Sequence, residues 1–143
     1  MINSSDIRKK NKKTIYKTML DGRHYTKQQI STLTGLSIAT CNTLLNDMKS
    51  NKELDVDKEK ELRGVGRGST LFAISSEHEY YSLINIHVSK GKRIADFYLV
   101  NAIGTIVEEK KNTYDSFDLD DMIFAVNIMN AKYGNVKQIV ISV

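Results

Sequence analysis

Hydrophobic positions in the first fifty residues recur at helical spacing, and short polar signals interrupt them at regular points. Ile7, Asn11, Ile15 and Met19 return every fourth residue, which predicts a helix over residues 6–20 that stops at Asp21-Gly22. Thr26 then stands as N-cap of a second helix with Gln29 as capping-box partner, and Ile30 and Leu33 are expected to face inward. Gly35 closes it, since glycine takes the left-handed conformation that satisfies the last carbonyls. Ser37 caps a third helix running to about Asn51, with Cys41, Leu44, Leu45 and Met48 on its buried side. The second helix ends and the third begins within about three residues, the spacing of a helix-turn-helix.

The period then changes. "LDVD" (54–57) alternates like a short strand, "KEKELRGVGRG" (58–68) is a charged, glycine-rich tip, and "STLFAIS" (69–75) is a second strand. Three helices and a two-stranded ribbon with a basic tip predict a winged helix-turn-helix over residues 1–75. From residue 79 onward the chain reads β-β-β-α-β. "YYSLINIHV" (80–88), "RIADFYLV" (93–100) and "TIVEEKKNTY" (105–114) are strands with turns at "SKGK" and "NAIG". "DLDDMIFAVNIMNAKYG" (118–134) is a helix capped by acids and closed by glycine, and "KQIVISV" is a last strand. The fold class expected is α+β, the second part being a mixed sheet with a helix on one face. The chain has no proline, so the boundary near residues 75–79 rests on the change of pattern alone.

Composition narrows the function classes. With 143 residues and 41% hydrophobic content, one ordinary domain or two small ones can be packed. No apolar run reaches the roughly 18 residues of a membrane span, and residues 1–13 are polar and lysine-rich without a following apolar stretch, so a cytoplasmic protein is expected. The single cysteine, Cys41, can form no internal disulfide, and among leucines it reads as a small buried hydrophobe. The net charge of +4 is unevenly spread. Residues 1–68 carry 14 Lys+Arg against 8 Asp+Glu, and residues 69–143 carry 7 against 9. A basic half beside a slightly acidic half fits a polyanion-binding module joined to a domain of another kind, although lysines also simply solubilise small domains.

On a helical wheel of roughly 100° per residue, Ala39, Thr43, Asn46 and Asp47 lie opposite the buried side of the third helix, with Thr40 and Asn42 on the flanks. Short polar side chains there suit base edges in a major groove, and Ala39 suits a thymine methyl. Ser37 and the free amides of the helix start favour a phosphate oxygen. The same face would equally suit a helix that merely meets solvent. At the wing, Arg67 between Gly66 and Gly68 fits a narrow minor groove, with Arg63 beside it, while Gly-Arg-Gly is also an ordinary flexible turn. Lys9, Lys12 and Lys13 on the first helix, with Thr26 and Lys27 at the start of the second, are candidates for the DNA backbone, giving salt-dependent affinity without base preference.

The segment "NKKTIYKTMLDGRHYTKQQISTLTGLSIATCNTLLNDM", then "GRG", then "YYSLINIHV" and "LVNAIGTIVEE", resembles the transcriptional repressors of the ROK family (repressor, open reading frame, kinase) over essentially the whole chain. The matching pieces are Asn11 in the first helix, a Gly-Leu-Ser-x-x-Thr element at Gly35 to Thr40, and a Gly-Arg-Pro-like element near Gly66-Arg67. The resemblance implies an N-terminal winged helix followed by a truncated actin-like, sugar-kinase-like α/β lobe over residues 79–143. It also implies a homodimer on a palindrome-like double-stranded operator and repression of carbohydrate-related genes, with a sugar or sugar derivative as effector in a longer form of the chain. The family's Glu-x-Gly-His sugar motif and its cysteine-rich zinc motif lie beyond "IVISV" and map onto no residue here. "INIHVSKGK" lacks the Asp-x-Gly expected for phosphate, so no enzyme activity, metal or cofactor is expected. His24, His78 and His87 show no metal spacing. Asp118, Asp120 and Asp121 suit a helix dipole, and Tyr80, Tyr81 and Tyr98 suit a sheet. The competing readings are a protein-interaction module or a remnant sugar kinase without a DNA-reading role.

Overall fold

In the computed structural model, which describes residues 3–58, 69–114 and 119–142, helix α1 (Ser4–Met19) starts with a capping box. The Asn3 side chain accepts from the Asp6 amide at 2.9 Å, and this cap moves the helix start two residues ahead of the predicted one. Ile15 and Met19 are fully buried, but Ile7 is half exposed, so only the C-terminal part of the apolar stripe reaches the core. A two-residue strand, β1 (Tyr25–Thr26), leads into α2 (Lys27–Thr34), whose N-cap is Thr26 with Gln29 completing the box. Gly35 ends α2 at φ 72°, its N–H donating to the Ser31 carbonyl at 3.0 Å. Ser37 caps α3 (Ile38–Ser50) by accepting from the Thr40 amide at 3.1 Å.

One inward expectation fails. Leu33 is 60% exposed, whereas Ile30 is fully buried. An eight-residue helix makes only about two turns, and Ile30 is its buried residue. Thr34 and Ser31 then bend back to the backbone, Thr34 Oγ1 donating to the Ile30 carbonyl and Ser31 Oγ to the Leu36 carbonyl, both at 2.6 Å.

Strands β2 (Leu54–Lys58) and β3 (Thr70–Ile74) pair antiparallel from Leu54↔Ile74 to Lys58↔Thr70, and β1 joins the other edge of β3, giving the order β1-β3-β2. Phe72, Ala73 and Ile74 are buried with Ile15, Met19, Ile30 and the inner side of α3. These elements make the first of two compact units, Met1–Ser75; the second is Ser76–Val143.

The second unit is a four-stranded sheet, β6-β5-β4-β7, formed by β4 (Tyr80–Ser89), β5 (Lys92–Asn101), β6 (Ile106–Tyr114) and β7 (Val136–Ser142). β4, β5 and β6 run antiparallel, and helix α4 (Leu119–Ala131) carries the chain to β7, which lies parallel to β4. The β4–β5 turn is Lys90-Gly91, both with positive φ (51° and 75°), the conformation a two-residue hairpin requires. Ala95, Phe97 and Leu99 alternate along β5 and, with Ile84, form a core with Met122, Ala125, Val126 and Met129 of α4. Buried Ser82 donates to Asn130 Oδ1 at 2.6 Å, tying sheet to helix. Gly134 does not close α4. The helix stops at Ala131, where Lys132 N–H reaches back only three residues to the Met129 carbonyl and Tyr133 N–H to that of Asn130, tightening the last turn. Tyr80 and Tyr133 then pack ring to ring, centroids 4.9 Å apart.

The core predicts its own response to truncation. Phe97→Ala is expected to cost about 3–5 kcal/mol, whereas Phe124→Ala, on an α4 side chain that is 67% exposed, should cost under about 1 kcal/mol. Urea unfolding followed by circular dichroism distinguishes them; equal losses would contradict the packing.

Candidate nucleic-acid interface

Three residues, Gly35, Leu36 and Ser37, separate α2 from α3. Cys41, Leu45 and Met48 are fully buried and Leu44 is nearly so, which leaves α3 no freedom to roll. Burial pushes the Cys41 thiol up, away from the reactive thiolate, and its Sγ lies 4.0 Å from the Leu36 carbonyl oxygen. Ser37, Ile38, Ala39, Asn42, Thr43 and Asn46 are exposed, and Thr40 is half-buried.

The outer surface of α3 is not one face but two flanks. On one side an open groove is bounded by α3, the start of α2 and the β2–β3 ribbon, and Thr26, Lys27, Ile38, Asn46, Lys49 and Thr70 line it. On the other side Thr40 and Thr43 line a shallow groove with Ile7, Arg8 and Asn11 of α1, closed by the Arg8–Asp47 ion pair at 3.1 Å. Thr26, Lys27, Asn42 and Asn46 are therefore brought together, and Thr40 is turned away from them.

The hydrogen bonds grade these side chains. Ser37 and Thr40 hydroxyls share a bond at 2.9 Å, and Thr43 Oγ1 donates to the Ala39 carbonyl at 3.1 Å. Asn42 Oδ1 accepts from Lys27 Nζ, linking α3 to α2. The Asn46 amide has no partner among the described residues. Thr26 Oγ1 accepts from the Gln29 amide at 3.2 Å, so its oxygen serves the helix first.

Lys9 and Lys13 stand exposed on α1, whereas Lys12 is half-buried in an ion pair. Its Nζ lies 2.6 Å from Oε1 of Glu53, a residue only 5% exposed, whose Oε2 accepts from Tyr16 OH at 2.9 Å. A buried carboxylate is costly without a cation, and Lys12 supplies one. Arg63 and Arg67 lie outside the described residues. Ile38, Lys49 and Thr70 were not singled out by the sequence. For Lys49 a signal existed, since it follows Asn46 by three residues on the same flank, while Thr70 enters only through ribbon pairing.

Each histidine meets a carboxylate: His24 Nε2 to Asp57 Oδ2 and His78 Nε2 to Glu79 Oε1 at 3.0 Å, His87 Nδ1 to Asp96 Oδ2 at 3.6 Å. Among the described residues no three His, Cys, Asp or Glu side chains converge as a metal would need, and no helix is long and apolar enough to cross a membrane.

No protein-family model matches the chain, and no curated protein matches it. Among solved structures it is similar to the crystal structure of a ROK family transcriptional regulator, a homologue of the Escherichia coli MLC protein, with a TM-score of 0.66 at 15% sequence identity. The likeness is one of fold. It covers 94% of this chain but 35% of the regulator, so the chain spans about a third of that protein's length.

The two kinds of lysine on α1 are expected to separate by stability. Lys12→Met should lower the stability of the first unit by about 2 kcal/mol, the worth of a charge-assisted bond to a buried carboxylate. Lys13→Met should stay within about 0.5 kcal/mol. Equal chemical-denaturation midpoints would refute the assignment of Lys12 to Glu53.

Proposed function

We propose that this chain is a sequence-specific regulator of transcription that binds double-stranded DNA through its first unit, a winged helix-turn-helix, and that it is related to the ROK repressors. The observation that carries the reading is the α3 flank. A rigidly anchored helix exposes uncharged hydrogen-bonding side chains beside a groove edged by Lys27 and Lys49, with the ribbon flanking it. Base reading needs such a helix in the major groove, and affinity needs cations on phosphates at its margins. The fold of the solved ROK regulator supports the same reading.

In this arrangement α3 enters the major groove with Ala39, Asn42 and Asn46, and with Thr43 at the edge toward α1. Lys27, Thr26, Lys9 and Lys13 hold the backbone, together with Ser37 at the α3 start, and Arg63 and Arg67 of the wing take the minor groove. The second unit corresponds to the first part of a sugar-kinase-like lobe. The regulator acts as a cytoplasmic homodimer on a palindrome-like operator, represses carbohydrate-related genes and answers to a sugar or sugar derivative in a longer form. No catalytic step is assigned to it, since phosphoryl transfer needs a phosphate cradle and a metal-holding carboxylate.

The test is a mobility-shift titration of the purified chain against the region upstream of its own gene at two salt concentrations. Binding should weaken steeply as salt rises, with Lys27→Ala reducing the log–log slope by about one. Thr43→Glu should abolish the shift by setting a carboxylate against the duplex. Absence of any shift at low salt overturns the proposal.

A further inference from the structure

Asn42 and Asn46 have identical side chains, lie one turn apart on the same flank of α3, and yet stand in different hydrogen-bonding states. Asn46 offers both an acceptor and a donor, with no partner among the described residues. Asn42 has its oxygen occupied by the Lys27 ammonium. A bidentate contact to adenine requires the amide oxygen to accept from N6 and the amide nitrogen to donate to N7. At Asn42 one lone pair of that oxygen is taken, and an incoming N6 amino group would have to share the oxygen with the cation already on it. The Asn42–Lys27 pair therefore presents chiefly donors, which suit guanine O6 and N7 or a phosphate oxygen better than an amino group. One turn before Asn42 on this flank, Ile38 holds a branched apolar side chain 47% exposed at the groove. Covering it with a thymine methyl removes apolar surface from water at both partners.

Resting on the DNA-binding reading above, we infer that Asn46 is the adenine-reading residue of this protein and Ile38 its thymine-methyl contact, with Asn42 held by Lys27 between them. Ile38 and Asn46 are eight residues apart, about 12 Å along the helix axis, which corresponds to roughly three to four base pairs at about 3.4 Å each. The thymine and the adenine thus fall at opposite ends of a stretch of that length in each half-site.

In vitro selection from randomised duplexes with the full chain tests this. The wild type is expected to enrich a site with those two positions. Asn46→Ala should flatten the adenine preference by on the order of ten- to a hundredfold and leave other positions alone. Asn42→Ala should leave the adenine unchanged. Ile38→Ala should flatten the thymine position, and deoxyuridine there should weaken the wild type about fourfold, the worth of one methyl, without affecting Ile38→Ala. Substituting 7-deazaadenine at the adenine probes the unaltered protein and should reproduce the Asn46→Ala loss in direction. If Asn42→Ala removes the adenine preference and Asn46→Ala does not, or if the two base analogues bind as well as the natural bases, the assignment is wrong while the regulator reading stands. If the wild type enriches no sequence, the regulator reading itself falls, and the assignment with it.

Discussion

The carboxylate of Glu53 is the constraint around which the first unit is assembled. It sits just after α3, at the entrance to β2, and is only 5% exposed. Lys12 and Tyr16 reach it from α1, and Asn51 from the end of α3. Its backbone continues the same work, the amide donating to the Met48 carbonyl and the carbonyl accepting from Ser75 at the far end of β3. A lone buried carboxylate would cost several kcal/mol, so the elements must arrive together for any of them to be comfortable. This meeting fixes the C-terminal end of α3 against the ribbon, and the groove beside Asn46 lies between the two.

At the other end of α3, the setting is done by the backbone. Gly35 in the left-handed region and the Ser37 cap turn the chain within three residues, and the Lys27–Asn42 bond then ties α2 to α3 at the helix surface. The helix is held by a charge cluster at its C-terminal end, by a turn at its start and by four buried side chains between. A surface proposed to read bases would gain from this kind of support, because side chains placed in advance lose little freedom on binding.

Much of this was legible in the sequence wherever a local rule governed. The caps at Thr26 and Ser37, the glycine at 35 and the Cys41, Leu44, Leu45, Met48 side of α3 follow from spacing and residue type, and so do the β-β-β-α-β element order and the helix crossover of the second unit. What failed needed tertiary partners. Leu33 looks inward on a wheel, but a helix of eight residues has too little contact to bury it. Lys12 looks like its neighbours until Glu53, forty-one residues away, is folded against it. Two residues carry no period, so β1 left no trace. The division of the α3 surface into two flanks arises from how α1 and the ribbon approach it, and a wheel drawn for one helix does not contain that information.

On the proposed DNA-binding function, the chemistry of the α3 surface separates affinity from selectivity. Its exposed residues from Ser37 to Asn46 carry no charge, so they supply little attraction to a polyanion by themselves. The cations stand at the margins instead, on Lys27 and Lys49 beside the groove and on Lys9 and Lys13 of α1. Marginal charges attract any duplex alike, and salt weakens them alike. Discrimination then falls to a few uncharged groups whose donors and acceptors are set by their neighbours. The Lys27 ammonium belongs to both sides of this division: as a cation it adds to the general attraction, and as a donor to Asn42 it takes one acceptor position on that surface. One ion at the edge of the groove thereby makes two chemically identical asparagines different.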